Sequence, residues 1–314
     1  MNRILNISIS IDLEMLWGLL HRIDATNDSY LTNIEAVPRV ANNMLDFFES
    51  RKCVTSWGAV DALRFSNAHE LYAFLNVNNL EEGYRSLMFD IEKKESIFGS
   101  DLLFAPSLIE RLENSPLVEL GSHSFTHSAY CGDLATEALS ELEILASAAN
   151  FNFGKNSRSP FYIFPRNSYN RKLVTLLQRN GFKSYRGVAT SRIYSQRSNA
   201  SMLLRALRKT DTYMGLFEPS KSALLEYPEL SIRNHRATIF FRPATGQILL
   251  QQAQLNRLKK HLEYCSKNGL TAHIWWHPHN FSSHFDENMD ILEKMFDFMD
   301  VEFDLINWKL MCQH

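Results

Sequence analysis

Apolar and small polar residues alternate near the start of the chain. Serines separate Ile7, Ile9 and Ile11, and this period of two predicts a β-strand. The period then lengthens: Ile34, Val37, Ala41, Met44, Leu45 and Phe48 fall three and four apart, so an amphipathic helix follows. The same succession recurs. Cys53–Trp57 and Val118–Gly121 predict strands, the second preceded by a helix from Pro106 that carries Leu108, Ile109 and Leu112. Leu134, Ala138, Leu142 and Leu145 form another helical stripe. Phe161–Pro165 reads as a strand, a helix through Leu173, Leu176 and Leu177 stops at Gly181 in a C-cap position, and Phe182–Tyr185 begins the next strand. Residues from Gly187 to Glu229 are rich in Ser, Arg and Asn with irregular apolar spacing, and long loops are expected there. Regularity returns with Ile239–Phe241, a helix from Gln247 to Lys267 closed by Gly269, an aromatic-rich strand Leu270–Trp276 and a helix Asp286–Met299.

Strands alternating with helices imply parallel strands joined by crossovers, and roughly seven such units over this length favour closure into a barrel. No Gly/Ser/Pro-rich linker divides the chain, so residues 1–314 are expected to form a single domain. Composition narrows the function. With 33 basic against 35 acidic side chains and a formal charge of −2, the chain lacks the basic field of nucleic-acid binders. No run approaches the ~18 apolar residues of a membrane span. Arg3 is followed by alternating apolar positions and then by Asp12 and Glu14, so no signal-peptide core is expected there. Cys53, Cys131, Cys265 and Cys312 are scattered without a CxxC pair, as expected of reduced thiols in a cytoplasmic protein.

In parallel α/β architectures reactive groups gather at the carboxyl ends of strands. Polar residues break out at four such places: Asp12 and Glu14 in SIDLE, His123 and His127 in GSHSFTHS, Arg166 in FPRN, and His277 and His279 in HIWWHPHNF. Asp12 and Glu14 would share one face of a strand, so one of them needs a compensating cation. His123 and His127 stand four apart, which would put both imidazoles on one helical face and suits two ligands of one metal. Ser124 occupies the position where a HExxH protease carries its glutamate, which removes that reading. A third ligand would come from Glu14 or Asp12, giving two histidines, a carboxylate and an open position able to activate water. His273 and Trp275 fall on one strand face and Ile274 and Trp276 on the other. His277, emerging at the strand's end, suits proton transfer, and His279 is a weaker candidate at the rim.

In motif order, SIDLE, ELGSHSFTH, FPRN and HIWWHPHNF resemble the polysaccharide deacetylase family, which includes chitooligosaccharide deacetylases, and its surface-polysaccharide biosynthesis branch in particular. The resemblance spans nearly the whole chain and is specific in combination rather than by any single motif. It implies a distorted (β/α)7 barrel holding one divalent metal, most often Zn2+, and hydrolysis of an N-acetyl group on an amino sugar or glycan precursor. His123 and His127 match the histidine ligands. The family's adjacent aspartates are here spaced as Asp12 and Glu14, which implies Asp12 as general base and Glu14 as metal ligand, with the reverse as the alternative. Arg166 matches the arginine that orients the base, Arg158 in RSPF being its competitor, and His277 matches the general acid. Trp17 and Trp276 are implied as sugar-stacking faces, with His279 beside them, core packing being the other reading for Trp276. The general acid of the family leans on an aspartate, and RGVATSRIYS after Tyr185 supplies none. Two other readings stay open: a metal-independent amidase on a non-sugar substrate, and a catalytically impaired sugar-binding protein.

Overall fold

The computed structural model of the chain describes residues 3–20, 28–153, 158–187 and 227–312. Among the described residues nine parallel strands are joined in one sheet: β1 (Ile4–Leu13), β2 (Thr55–Ala59), β3 (Val118–Ser122), β4 (Arg158–Ile163), β5 (Ser184–Arg186), β6 (Arg233–Asn234), β7 (Ile239–Phe240), β8 (Thr271–Trp276) and β9 (Leu305–Trp308). Their order is β6-β5-β4-β3-β2-β1-β8-β7, with β9 on β1. The two ends of this order belong to one stretch of chain. Arg233 and Asn234 pair with β5, and a few residues later Ile239 and Phe240 pair with β8. A single extended segment therefore serves as the last stave, and the result is a distorted (β/α)7 barrel. β9 pairs with Ile4–Ile7 of β1, below the point where β2 takes over the same edge at Ser10.

The alternation in β1 divides the helix layer from the barrel axis. Leu5, Ile7, Ile9, Ile11 and Leu13 join the apolar core under the helices, whereas Ser10 reaches inward to His273 and Arg186. β8 repeats the division: Ala272, Ile274 and Trp276 lie beside Ile7, Ile9 and Ile11 in register, and His273 and Trp275 turn inward. Helix α1 (Asp28–Glu35) is followed by α2 (Val37–Ser50), which starts with Pro38 in its first turn and buries Val37, Val40, Ala41, Met44, Leu45 and Phe48. The next two helices, α3 (Ala68–Val77) and α4 (Glu81–Phe98), fill a span to which the hydrophobic pattern assigns no element. The reason is the narrow apolar stripe of α4, only Tyr84, Met88 and Ile91 being buried. They are followed by α5 (Pro106–Asn114), α6 (Leu134–Phe153) and α7 (Arg171–Arg179), the last capped by the Asn170 side chain, which accepts from the Leu173 N–H at 2.9 Å. The chain then runs through α8 (Ile248–Asn268), which stops at left-handed Gly269, to α9 (Phe285–Glu302). Of the loops expected over Gly187–Glu229, residues 188–226 lie outside the described residues. Among the described residues no helix is long and apolar enough to cross a membrane.

Two polar anchors inside the barrel fix its lower half. Glu119 on β3 accepts from Ser56 Oγ and the backbone N–H groups of Met311 and Cys312 at 2.7–2.8 Å, seating Met311 against Phe161 and Ile163. His273 is buried with its Nε2 2.8 Å from Ser10 Oγ. Burial, aided by the nearby Arg186 charge, pushes the His273 pKa down to about 3. The unfolded chain takes up a proton there near pH 6.5 and the folded chain refuses it, so stability is retained above that pH and lost as pH falls towards 3. This one imidazole is expected to cost about 1.4 kcal/mol per pH unit over that window. Urea denaturation at pH 7, 5.5 and 4.5 checks it, since His273→Gln should flatten the dependence by about that slope; parallel curves for the two proteins would refute the assignment.

Candidate metal and catalytic centre

Asp12 ends the inward row of β1, and Glu14 follows as the chain enters a short 3-10 turn, Met15–Leu19. Both are buried. Gly18 in that turn sits against the Glu14 carboxylate: a Cβ there would come within 2.9 Å of Cδ and closer still to Oε2. His123 and His127 follow β3. The spacing of four suggests a helical face, but residues 123–127 form no helix, because Ser124 (φ 65°) and His127 (φ 64°) are left-handed. The loop folds back instead and brings the two rings to 4.9 Å between centroids.

That conformation is unfavourable for non-glycine residues by roughly 1–2 kcal/mol each, so other groups must impose it. Phe125 is packed among Phe65, Phe74 and Tyr84. The backbone N–H groups of Asp61 and Ala62 donate to the Ser124 and Phe125 carbonyls. Glu143, fully buried on α6, accepts from the Thr126 N–H at 2.6 Å, the Thr126 hydroxyl at 2.5 Å, the Tyr84 hydroxyl at 2.9 Å and the Ser128 N–H at 3.4 Å. One carboxylate thus clamps the loop between its two histidines.

Three imidazoles converge on one oxygen. Oε1 of Glu14 lies 3.0 Å from His123 Nε2, 3.0 Å from His127 Nε2 and 3.1 Å from His277 Nε2. Burial acts to raise the Glu14 pKa, but His277, His127 and His123 outweigh it and hold the carboxyl well below its ordinary value. Glu14, His123 and His127 present ligand atoms within 4.8 Å of one another, as a metal requires. Two details fit the histidines to that task. His123 Nδ1 is 3.0 Å from the Ile163 carbonyl and donates to it, which fixes the ring with Nε2 turned toward Glu14. His127 Nε2 is buried and, despite its distance to Glu14, finds no hydrogen-bond geometry, as expected of a ligand aimed at a third point.

The cation on Asp12 is Arg186, which ends β5, and not Arg166. Its Nη1 lies 2.5 Å from Asp12 Oδ1 and its Nη2 2.6 Å from Oδ2, a bidentate pair buried on both sides. Ser10 and Asn167 accept further bonds from the same guanidinium at 3.1 Å, and the Trp275 ring lies 4.4 Å beneath it. Burial raises the Asp12 pKa, but Arg186 overcomes it and the net shift is downward. Arg166 stands instead in the turn Pro165–Asn167, exposed, at the wall of a cavity of ≈180 Å3 that it shares with Trp17, Gly18, His127, Ser128, Thr136 and Leu139 among others. Arg158 opens β4 opposite Leu120, at the far end of the strand from the site.

His277 Nε2 is 3.7 Å from Asp12 Oδ2, and its Nδ1 donates to the Asn280 carboxamide oxygen at 3.2 Å. A neutral amide therefore orients the ring at the place where an aspartate would be expected to lean. Burial lowers the His277 pKa, but Glu14 and Asp12 more than reverse it. His279 stacks beside His277, 4.9 Å between centroids, with its Nδ1 buried and unbonded among the described residues. The tryptophans depart from expectation. Trp276 is core, enclosed by Phe48, Phe241 and Phe281, because its strand parity points it at the helix layer. Trp17 is 1% exposed and donates its indole N–H to the Leu103 carbonyl at 2.6 Å, so it forms a wall of the cavity rather than an open stacking platform. Arg186, Glu143 and Asn280 are the residues that the sequence reading does not assign.

No protein-family model matches the chain, and no curated protein matches it in sequence. Solved structures share its fold. A Mycobacterium smegmatis protein assigned as a polysaccharide deacetylase superposes with a TM-score of 0.59 at 10% identity over 97% of this chain and 86% of its own. A GH57 branching enzyme from Thermococcus kodakaraensis gives 0.55 at 10% identity over 98% and 70%. The Puue allantoinase gives 0.52 at 9% identity over 97% and 87%. Identities this low establish the barrel, and function rests on the site itself.

Proposed function

We propose that this protein is a metal-dependent hydrolase that removes an N-acetyl group from an amino sugar or glycan precursor. The reading includes a cytoplasmic place of action in bacterial surface-polysaccharide synthesis. One observation carries it: a carboxylate and two imidazoles aimed at a single point, flanked by an ion-paired carboxylate and a third imidazole. Glu14, His123 and His127 would hold the divalent ion, and a carboxylate with two nitrogens is a donor set suited to Zn2+. When bound, the ion supplies Lewis acidity and lowers the pKa of water.

The chain's own groups do the rest. Asp12 is kept ionised by Arg186, and Oδ2, which faces His123 and His277 at 3.8 and 3.7 Å, is positioned to take the proton of the attacking water. His277, held at Nδ1 by Asn280, delivers a proton from Nε2 to the departing nitrogen, so the amine leaves neutral and the acyl group as acetate. The orphaned His127 Nε2 favours this reading over a metal-independent amidase.

Purified protein is expected to contain about one zinc per chain and to release acetate from acetylated amino sugars. Chelation should abolish release and stoichiometric zinc restore it. His123→Ala should weaken zinc binding by at least about 100-fold, more than loss of an outer hydrogen-bond partner does. Equal acetate release by His123→Ala and wild type, or activity indifferent to chelation, would overturn the metal assignment.

A further inference from the structure

The turn Pro165–Asn167 contains two consecutive left-handed non-glycine residues, Arg166 (φ 55°) and Asn167 (φ 51°). For Asn167 the conformation has a visible use, since its carboxamide accepts from Arg186 and braces the pair with Asp12. Arg166 has no such reward among the described residues. No ion pair or side-chain hydrogen bond ties its guanidinium to any described residue. It lines a cavity that is also lined by His127, a proposed metal ligand, and by Gly18, which abuts the Glu14 carboxylate, so the cavity borders the candidate centre. Trp17 and Leu139 give that cavity an apolar wall, and Ser128 and Thr136 add hydroxyls. The other guanidinium of the centre, Arg186, is already engaged with Asp12.

Residues held in sparsely populated backbone conformations cluster at ligand-binding and active sites. A guanidinium at the mouth of a largely apolar cavity matches an anionic oxygen group, which it can hold with two parallel N–H donors. Building on the deacetylase reading, we infer that Arg166 is a specificity-determining residue and that the acylated substrate bears a phosphate or carboxylate. The uncharged part of the substrate occupies the cavity beside Leu139, Ser128 and Thr136, and the anion meets Arg166 at its wall.

Equilibrium binding to the zinc-loaded protein, read by calorimetry without turnover, tests this. The probes are N-acetylglucosamine, its 1-phosphate, its 6-phosphate and the corresponding uronic acid. At least one anionic probe is expected to bind about tenfold or more tightly than the neutral sugar, as a charge-assisted pair allows. Arg166→Gln should collapse that preference, and Arg166→Lys should retain part of it. Tighter binding of a phosphate than of the uronic acid identifies phosphate as the group, and the reverse identifies carboxylate. The inference is overturned if all three anions bind as the neutral sugar does, or if Arg166→Gln keeps the wild-type preference. Acetate release without anion preference would defeat this inference alone. Anion preference lost in Arg166→Gln, together with an absence of acetate release, would defeat the deacetylase reading and leave Arg166 as an anion site.

Discussion

Arg186→Met is expected to destabilise the protein by about 3–5 kcal/mol and to abolish acetate release, because it leaves a buried carboxylate without its cation. Both Asp12 oxygens receive their shortest bonds from this guanidinium, and both residues are almost wholly enclosed. Removing it forces Asp12 either to remain charged and buried without its main cation or to protonate, and a protonated Asp12 can no longer accept a proton from water. The distinguishing measurement is the double variant Arg186→Met with Asp12→Asn. Replacing both charges removes the uncompensated ion, so the double variant should recover most of the lost stability in urea denaturation while staying inactive. If Arg186→Met alone unfolds at the wild-type urea concentration, the ion pair is not what holds Asp12 in place.

The second large effect comes from adding one methyl group outside the ligand set. In Gly18→Ala the new Cβ would occupy space taken by the Glu14 carboxylate, so the carboxylate must swing away from the oxygen position that His123, His127 and His277 share. Gly18 lies in the 3-10 turn with Glu14 at its N-terminal boundary, so the displacement is local and the barrel should survive. Zinc affinity is expected to fall at least about 100-fold, the upper range seen when a supporting group is lost. Competition against a chromophoric chelator measures it, with circular dichroism as the check on folding. Wild-type zinc affinity in a folded Gly18→Ala protein would mean that Glu14 does not ligate.

Much of this centre follows from the pattern of residues because strand parity carries chemical information. The serines between Ile7, Ile9 and Ile11 define the inward row, and Asp12 is its next member. The same logic at β8 puts His273 and Trp275 inside and Trp276 outside, so the alternation that locates the strand also decides against Trp276 as a sugar platform. Arg186 obeys the rule used to pick Arg166, a polar residue leaving an apolar strand at its carboxyl end. With only three residues, Ser184–Arg186, β5 offers too short an apolar run for its carboxyl end to stand out in the sequence. The loop at 123–127 was illegible for a different reason: a spacing of four reads as a helix whenever local sequence alone is weighed, and the left-handed turns depend on Glu143 and Phe125, contacts made in three dimensions. Glu143 itself looks no different from Glu141 on the same helix until the fold encloses one side chain and leaves the other partly exposed beside Lys172. Asn280 belongs to HPHN, where a neutral amide gives no signal of its role beside His277.

The position of β1 at the centre of the sheet also governs how the protein comes to exist. The Ser10–His273 hydrogen bond joins β1 to β8 across 263 residues of sequence, and Glu14 meets His123 across 109. Such non-local contacts make closing the chain slow relative to forming its helices. During synthesis the first strand emerges early, rich in isoleucine, and waits for a neighbour made near the other end of the chain. Meanwhile β1 can pair on one side with β2, and the donors from Glu14, His123 and His127 can gather well before His277 is made. An ion captured by that partial sheet would stabilise an intermediate that lacks its acid group, so metal supply should influence the yield of folded protein as well as its activity.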